Sequence, residues 1–204
     1  MEVNKIIQGD CLEVMKTMED NSIDLILTDP PYGVNLKYEN YDDTEENWFK
    51  LMDKWIPEAR RIAKMVIFPS CQIKRLDWFY KNHKPDWLIC WHKGSPGHSA
   101  YVGFNDWEPH LVYGKLHTHM HDYFSVTNTE KMGNYGHPCP KPIKWANWFI
   151  TKATKEGDII LDTFAGSGTT LVSAQNLHRR FIGIELEEKY CEIARDRLKQ
   201  QTLL

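Results

Sequence analysis

The sequence has no apolar run approaching the roughly 18 residues that cross a bilayer, so a membrane span is not expected. It also has no CxxC pair. Its five cysteines (Cys11, Cys71, Cys90, Cys139 and Cys191) are scattered and odd in number, and the simple reading is reduced thiols in a cytoplasm. The opening residues, MEVNKIIQGD, lack a basic-then-apolar leader, so export is not expected. Internal repeats and low-complexity tracts are missing too. Nor is there a dominant charge: the net value of −3 does not announce a nucleic-acid binder.

What is present is ordinary in bulk and uneven in detail. A chain of 204 residues, 42% hydrophobic and 26% charged, fits one domain with a substantial core. Residues 1–53 hold 4 Lys/Arg against 13 Asp/Glu, and residues 54–93 hold 9 against 3. That basic stretch (Arg60, Arg61, Lys64, Lys74, Arg75, Lys81, Lys84, Lys93) reads either as a track for phosphates or as solvated helix faces.

Hydrophobic periodicity places the elements. Ile23–Thr28 reads as a strand that Asp29-Pro-Pro-Tyr-Gly33 must end, because proline cannot donate to a sheet ladder. Residues 34–47, polar and acidic, read as a mobile loop. Apolar residues from Trp48 to Ala63 recur at helical spacing. Strands are expected at 65–69, 87–91, 110–113, 159–161 and 181–184, with helices through 78–80, over 143–154 and 169–177, and from 187. Strands alternating with helices predict an α/β fold around a mainly parallel sheet, whose ligands bind at the carboxyl ends of strands.

Two loops at such ends carry chemistry. Asp162-Thr-Phe-Ala-Gly-Ser-Gly-Thr-Thr170 runs from a strand into a helix, so its glycines allow close backbone approach and the helix start offers free N–H groups. No lysine follows Gly168, which argues against a P-loop, and the third glycine of a dinucleotide fingerprint is missing near Leu171. A smaller ligand with a carboxylate and an amine remains, and S-adenosylmethionine fits. Glu185, ending the next strand, is placed to accept hydrogen bonds from ribose hydroxyls. In the other loop, Asp29 supplies a carboxylate and Pro30 a backbone carbonyl, two acceptors for the two N–H bonds of an aromatic amine. Together they free its lone pair. Pro31 stiffens the turn, and Tyr32 offers a face on which an extruded base can stack. A plain turn with Asp29 as a cap is the competing reading.

Asp29-Pro-Pro-Tyr32 resembles the catalytic motif of amino-group DNA methyltransferases, and Phe164-Ala-Gly-Ser-Gly-Thr169 resembles their cofactor motif. The order, catalytic before cofactor, is similar to the beta group of that family, a circular permutation. Gly9-Asp10-Cys11 resembles the segment where an acidic residue meets the cofactor's adenine. His137-Pro-Cys-Pro-Lys-Pro142 resembles the segment before the cofactor strand, with Lys141 near the methionine end.

The resemblance implies a Rossmann-like S-adenosylmethionine-dependent fold of about seven strands, formed by residues 1–204 as a single domain. A short target-recognition insert is expected at about 114–136. It implies a catalytic set of Asp29, Pro30, Pro31 and Tyr32. The implied cofactor set is Asp10, Cys11, Asp29, Lys141, Asp162, Phe164, Ala165, Gly166, Ser167, Gly168, Thr169, Thr170 and Glu185. Asp at the head of the tetrapeptide resembles the N6-adenine members. N4-cytosine methylation is the first alternative, RNA adenine more distant, and a silent DNA-binding relative a different class. Double-stranded DNA is the implied partner, with a homodimer and a cognate restriction nuclease as further partners, in a bacterial or phage-infected cytoplasm.

Asp162-Thr-Phe departs from the commoner Asp-Pro-Phe, which leaves the glycines and helix start intact. Two decoys are set aside. Cys139 lies in a Pro-rich segment and not at the end of the catalytic strand, which argues against a nucleophile. His117, His119 and His121 lack a partner at ligand spacing, so no metal is expected.

Overall fold

Short apolar runs and amphipathic segments alternate along the chain, and they fold as a sheet with helices on both faces. The computed structural model describes residues 2–94, 99–100, 103–104, 106–115, 121–127 and 141–201. In chain order these form β1 (Lys5–Gln8), α1 (Cys11–Lys16), β2 (Leu25–Leu27), α2 (Glu45–Ile62) and β3 (Met65–Pro69). A 3-10 turn (Ile73–Arg75), α3 (Leu76–Asn82) and β4 (Trp87–His92) follow. Then come β5 (Ser99–Ala100), β6 (Gly103–Phe104), β7 (Trp107–Gly114), β8 (Tyr123–Ser125) and α4 (Ile143–Ala153). The chain closes with β9 (Ile159–Asp162), α5 (Thr169–Asn176), β10 (Arg180–Glu185) and α6 (Glu188–Gln201). Among the described residues, no helix is long and apolar enough to cross a membrane.

The main sheet has the order β1-β10-β9-β2-β3-β7-β4-β8, and β5 and β6 pair as a separate hairpin. Pairing is parallel from β1 through β3 and between β4 and β8, while β7 runs antiparallel to β3 and β4. The last two strands in sequence therefore sit between the first two, the topology expected of a permuted chain. Eight strands replace the expected seven, because β8, inside the expected recognition insert, adds to the edge beside β4. Residues 116–120 and 128–136 of that insert, with His117, His119 and Cys139, lie outside the described residues.

One face of the sheet packs on α1, α2 and α3, around Met15, Trp48, Trp55 and Phe79; the other packs Trp91, Trp145 and Phe149 with α4 and α5. Trp48, Trp55, Trp91 and Trp145 are almost wholly buried, each contributing on the order of 3 kcal/mol of transfer free energy. Local chemistry sets the helix starts: the Asp10 side chain accepts from Leu12 N and Glu13 N at α1, and Thr44 Oγ1 accepts from Asn47 N at α2.

One expectation changes, and one choice between two readings narrows. The segment after Gly33, read as a mobile loop, is pinned: buried Asp43 accepts from the backbone N–H groups of Gly33 (2.6 Å), Val34 and Leu36 (both 3.1 Å). The basic stretch is not one open phosphate track. Arg61 bonds Glu58, Asp20 and two carbonyls, Lys64 pairs with Asp24, and Arg75 is buried on the Trp48 ring at 4.0 Å.

Candidate active site

Parallel pairing of β1, β10, β9 and β2 brings four strand ends to one edge of the sheet. The loops that follow them carry Gly9–Cys11, Glu185–Glu187, Asp162–Ser167 and Asp29–Tyr32, which line a single cleft. Between β9 and β2 the connections diverge in opposite directions, so the cleft lies at a topological switch point. Thr169, Thr170, Lys141 and Trp145 complete one side of the wall. Leu36, Tyr38 and Tyr41, from the segment that Asp43 pins, line it as well, with Leu51 and Tyr190. Sequence reasoning did not find these apolar and aromatic walls, since the loop's polar composition pointed away from them.

Every residue expected at the site lines this cleft except Gly168. Gly168 caps α5 with a φ of +81°, and a Cβ there would meet the Ala194 Cβ at 2.7 Å. Its glycine is required by backbone conformation and by packing on α6. Gly166, with a φ of +48°, does face the cleft. Its N–H donates to Glu185 Oε2 at 2.7 Å, and Glu187 N donates to Oε1 at 2.9 Å. Burial raises the Glu185 pKa, and the N–H groups of Glu187 and Gly166 oppose that rise. Asp10 lines the cleft while capping α1, and burial pushes the neighbouring Cys11 thiol up to about 12, so it stays neutral.

The two motif loops are locked to each other. Thr28 Oγ1 donates to Asp162 Oδ1 at 2.6 Å and accepts from Phe164 N at 3.1 Å. Trp55 Nε1 on α2 donates to Thr163 Oγ1 at 3.0 Å, fixing the same junction from the helix layer. Burial pushes the Asp162 carboxyl up to about 6.

Around Asp29 the structure builds more than the tetrapeptide announces. Lys141 Nζ lies 2.9 Å from Asp29 Oδ2 and 2.6 Å from the Tyr32 hydroxyl, so Lys141 sits on the Asp29–Tyr32 turn. The Tyr32 hydroxyl lies 2.9 Å from both Asp29 Oδ1 and Glu108 Oε1. Arg75 donates to the carbonyls of Tyr32 (2.6 Å) and Gly33 (3.2 Å), holding the turn from beneath. Burial raises the Asp29 carboxyl and the adjacent charge of Glu108 adds to this, while Lys141 and the Tyr32 hydroxyl work against it. His110, fully buried, is lowered to about 4 by that burial and accepts from Trp145 Nε1 at 2.8 Å. Neither Glu108 nor Arg75 carried a motif signal, and Glu108 lay outside the strand expected at 110–113, which begins at Trp107.

Trp91 belongs to the core and Trp107 is exposed. The arrangement offers clustered acceptors beside a glycine-lined, partly apolar cleft, suited to holding an amine against a nucleoside-like ligand.

Comparison with known proteins agrees with this geometry. M.HinfI, a Type II methyltransferase of Haemophilus influenzae, is 28% identical over 97% of this chain and 69% of its own. The crystal structure of the M1.HpyAVI-SAM complex superposes with a TM-score of 0.70 at 25% identity, covering 95% of this chain and 98% of that one. PvuII DNA methyltransferase (cytosine-N4-specific) shares the fold, with a TM-score of 0.67 at 19% identity over 98% and 94% of the two chains. The N6_N4_Mtase family profile, described as DNA methylase, matches residues 23–92 and 73–196, well over half of the sequence, and the chain therefore belongs to that DNA methylase family.

Proposed function

We propose that the chain transfers the methyl group of S-adenosylmethionine to the exocyclic N6 amino group of adenine in double-stranded DNA. The observation that carries this reading is the meeting of the Asp29–Tyr32 and Asp162–Ser167 loops in one cleft, at the ends of adjacent strands β2 and β9. The cleft fits the cofactor's chemistry. Glu185 and Asp10 offer acceptors for hydroxyl and amino groups, and Leu36, Phe164 and Leu186 offer apolar faces for a purine. The buried Tyr41 hydroxyl lines the same cleft without a hydrogen-bond partner among the described residues. When bound, S-adenosylmethionine supplies an electrophilic methyl group on a sulfonium.

The chain's own residues do the rest. The Asp29 carboxylate and the Pro30 carbonyl accept the two N–H bonds of the target amine and draw its nitrogen toward tetrahedral geometry. Pro31 and the Arg75 bonds keep that pair of acceptors in place. Tyr32 packs against the base. Positioning of this kind supplies most of the rate gain, roughly 7–11 kcal/mol, and no covalent intermediate is needed. The aspartate heading the tetrapeptide favours adenine over cytosine N4. Phe164, Ala165, Gly166, Ser167, Thr169 and Thr170 hold the cofactor from the β9 side, with Cys11 beside Asp10 and Lys141 near the methionine end. Residues 1–204 act as a single methyltransferase domain, and the segment at about 114–136 reads the target sequence. A homodimer, a cognate restriction nuclease and a cytoplasmic location complete this reading.

Purified protein is incubated with labelled S-adenosylmethionine and unmethylated genomic DNA, and the digested nucleosides are resolved by mass spectrometry. N6-methyl-2′-deoxyadenosine that disappears in Asp29→Ala is expected. N4-methylcytosine overturns the base assignment and keeps the mechanism. No methylated DNA base at all overturns the reading.

A further inference from the structure

Glu108, the second residue of β7, is a buried carboxylate to which the reading above gives no task. Its Oε1 and Asp29 Oδ1 each stand 2.9 Å from the Tyr32 hydroxyl. A phenol has one proton to give. Lys141 Nζ, at 2.6 Å, donates to the phenol oxygen, and it also reaches Asp29 Oδ2 at 2.9 Å. The phenol proton therefore goes to one of two carboxylates. Pointed at Asp29, it occupies an oxygen that the target amine requires. Pointed at Glu108, it leaves Asp29 Oδ1 as an open acceptor.

Resting on the methyl-transfer reading, we propose that Glu108 is a positioning residue for the reaction: in the productive complex it accepts the hydrogen bond of the Tyr32 hydroxyl and so leaves the Asp29 carboxylate open to the target amino group. The groups that face this pair come from six elements. They are Asp29 and Tyr32 after β2, Cys71 after β3, Lys93 after β4, His110 on β7, Lys141 ahead of α4 and Asp162 ending β9. Burial alone would raise Glu108, but Lys141, His110, Lys93 and the Tyr32 hydroxyl outweigh it and hold the carboxyl below its ordinary value. Asp29 is pushed the other way, first by burial and in part by the Glu108 charge. Removing its charge has two effects of opposite sense: Asp29 ionises more readily, and the Tyr32 proton turns back onto it.

Single-turnover methyl transfer to unmethylated DNA, measured against pH, tests this in the full chain. In Glu108→Gln the plateau rate falls about tenfold, the effect of one charge-assisted hydrogen bond. The KM for S-adenosylmethionine is unchanged and the acid limb moves to lower pH. In a Tyr32→Phe background the same substitution adds less than about twofold, because the hydroxyl through which it acts is gone. Glu108→Asp keeps the charge and shortens the reach, so its plateau falls while its acid limb stays. A wild-type plateau and acid limb in Glu108→Gln overturns the proposal, as does a loss that persists at full size without the Tyr32 hydroxyl. The Asp29 carboxyl, followed by carbon-13 NMR, gives a reading independent of turnover. Its midpoint falls in Glu108→Gln, and an unmoved midpoint overturns the coupling. A wild-type protein that methylates no DNA base overturns instead the functional reading on which this inference stands.

Discussion

Replacing Gly168 by alanine separates a structural glycine from a ligand-contacting one. The residue sits in left-handed backbone at φ +81°, and an added Cβ would stand 2.7 Å from the Ala194 Cβ and 3.3 Å from its Cα. An alanine in left-handed backbone costs about 1–2 kcal/mol. The contact with α6 adds about 1–3 kcal/mol, since Ala194 is a buried backbone neighbour that cannot swing aside. Together the loss is roughly 2–5 kcal/mol, which in a chain of this size lowers Tm by about 5–15 °C. Because Gly168 does not line the cleft, the folded variant keeps its affinity for S-adenosylmethionine within about threefold of wild type. Scanning calorimetry reads the first effect and isothermal titration calorimetry, well below the lowered Tm, reads the second. A variant with unchanged Tm and a tenfold weaker cofactor would refute the assignment of Gly168 to packing.

Asp43→Ala removes the acceptor for three backbone N–H groups and costs roughly 2–4 kcal/mol; hydrogen exchange at Gly33, Val34 and Leu36 accelerates, and wild-type protection there would contradict the pinning of this segment. Trp55→Phe breaks the bond to Thr163 Oγ1 and opens space, costing about 2 kcal/mol or more in urea unfolding; a neutral result would sink the role of Trp55 in fixing the β9 loop. His110 titrates near 4 in the folded chain against 6.5 ordinarily, so its contribution of about 3 kcal/mol is complete above pH 6.5 and lost as pH falls toward 4. Asp162, pushed up to about 6, has the opposite sign, gaining in the folded state as pH falls from about 6 to 3.8, so total stability is flatter than either group alone. The stability difference between wild type and His110→Phe isolates the histidine: it shrinks from pH 7 to pH 4, and a constant difference would show that His110 is not buried in its neutral form.

The elements legible in the sequence are those governed by near neighbours. Asp29-Pro-Pro-Tyr32 had to end a strand because two prolines deny the ladder its donors, and β2 stops at Leu27. The apolar spacing from Trp48 to Ala63 matches α2, which starts three residues earlier because Thr44 caps it. Edges were less legible. β8 was read as part of an insert, since a three-residue strand has too few positions to show alternation and is defined by its pairing with β4. The loop after Gly33 looked mobile because its composition is polar, yet a single buried carboxylate organises it.

By itself, the sequence determined the strand-turn-helix units, the Asp29-Pro-Pro-Tyr32 turn and the glycine turn between β9 and α5. Each of these depends on residues adjacent in the chain. Tertiary structure alone decided the surroundings of Asp29: Glu108 meets Tyr32 across 76 positions and Lys141 meets it across 109. It also decided that Gly168 faces α6 and that Arg75 lies beneath the Asp29–Tyr32 turn. The reason is strand order and register. Side chains alternate along a strand, so a one-residue slip of β7 would turn Glu108 away and present Trp107 to the site. No short-range pattern encodes which of the two faces Tyr32.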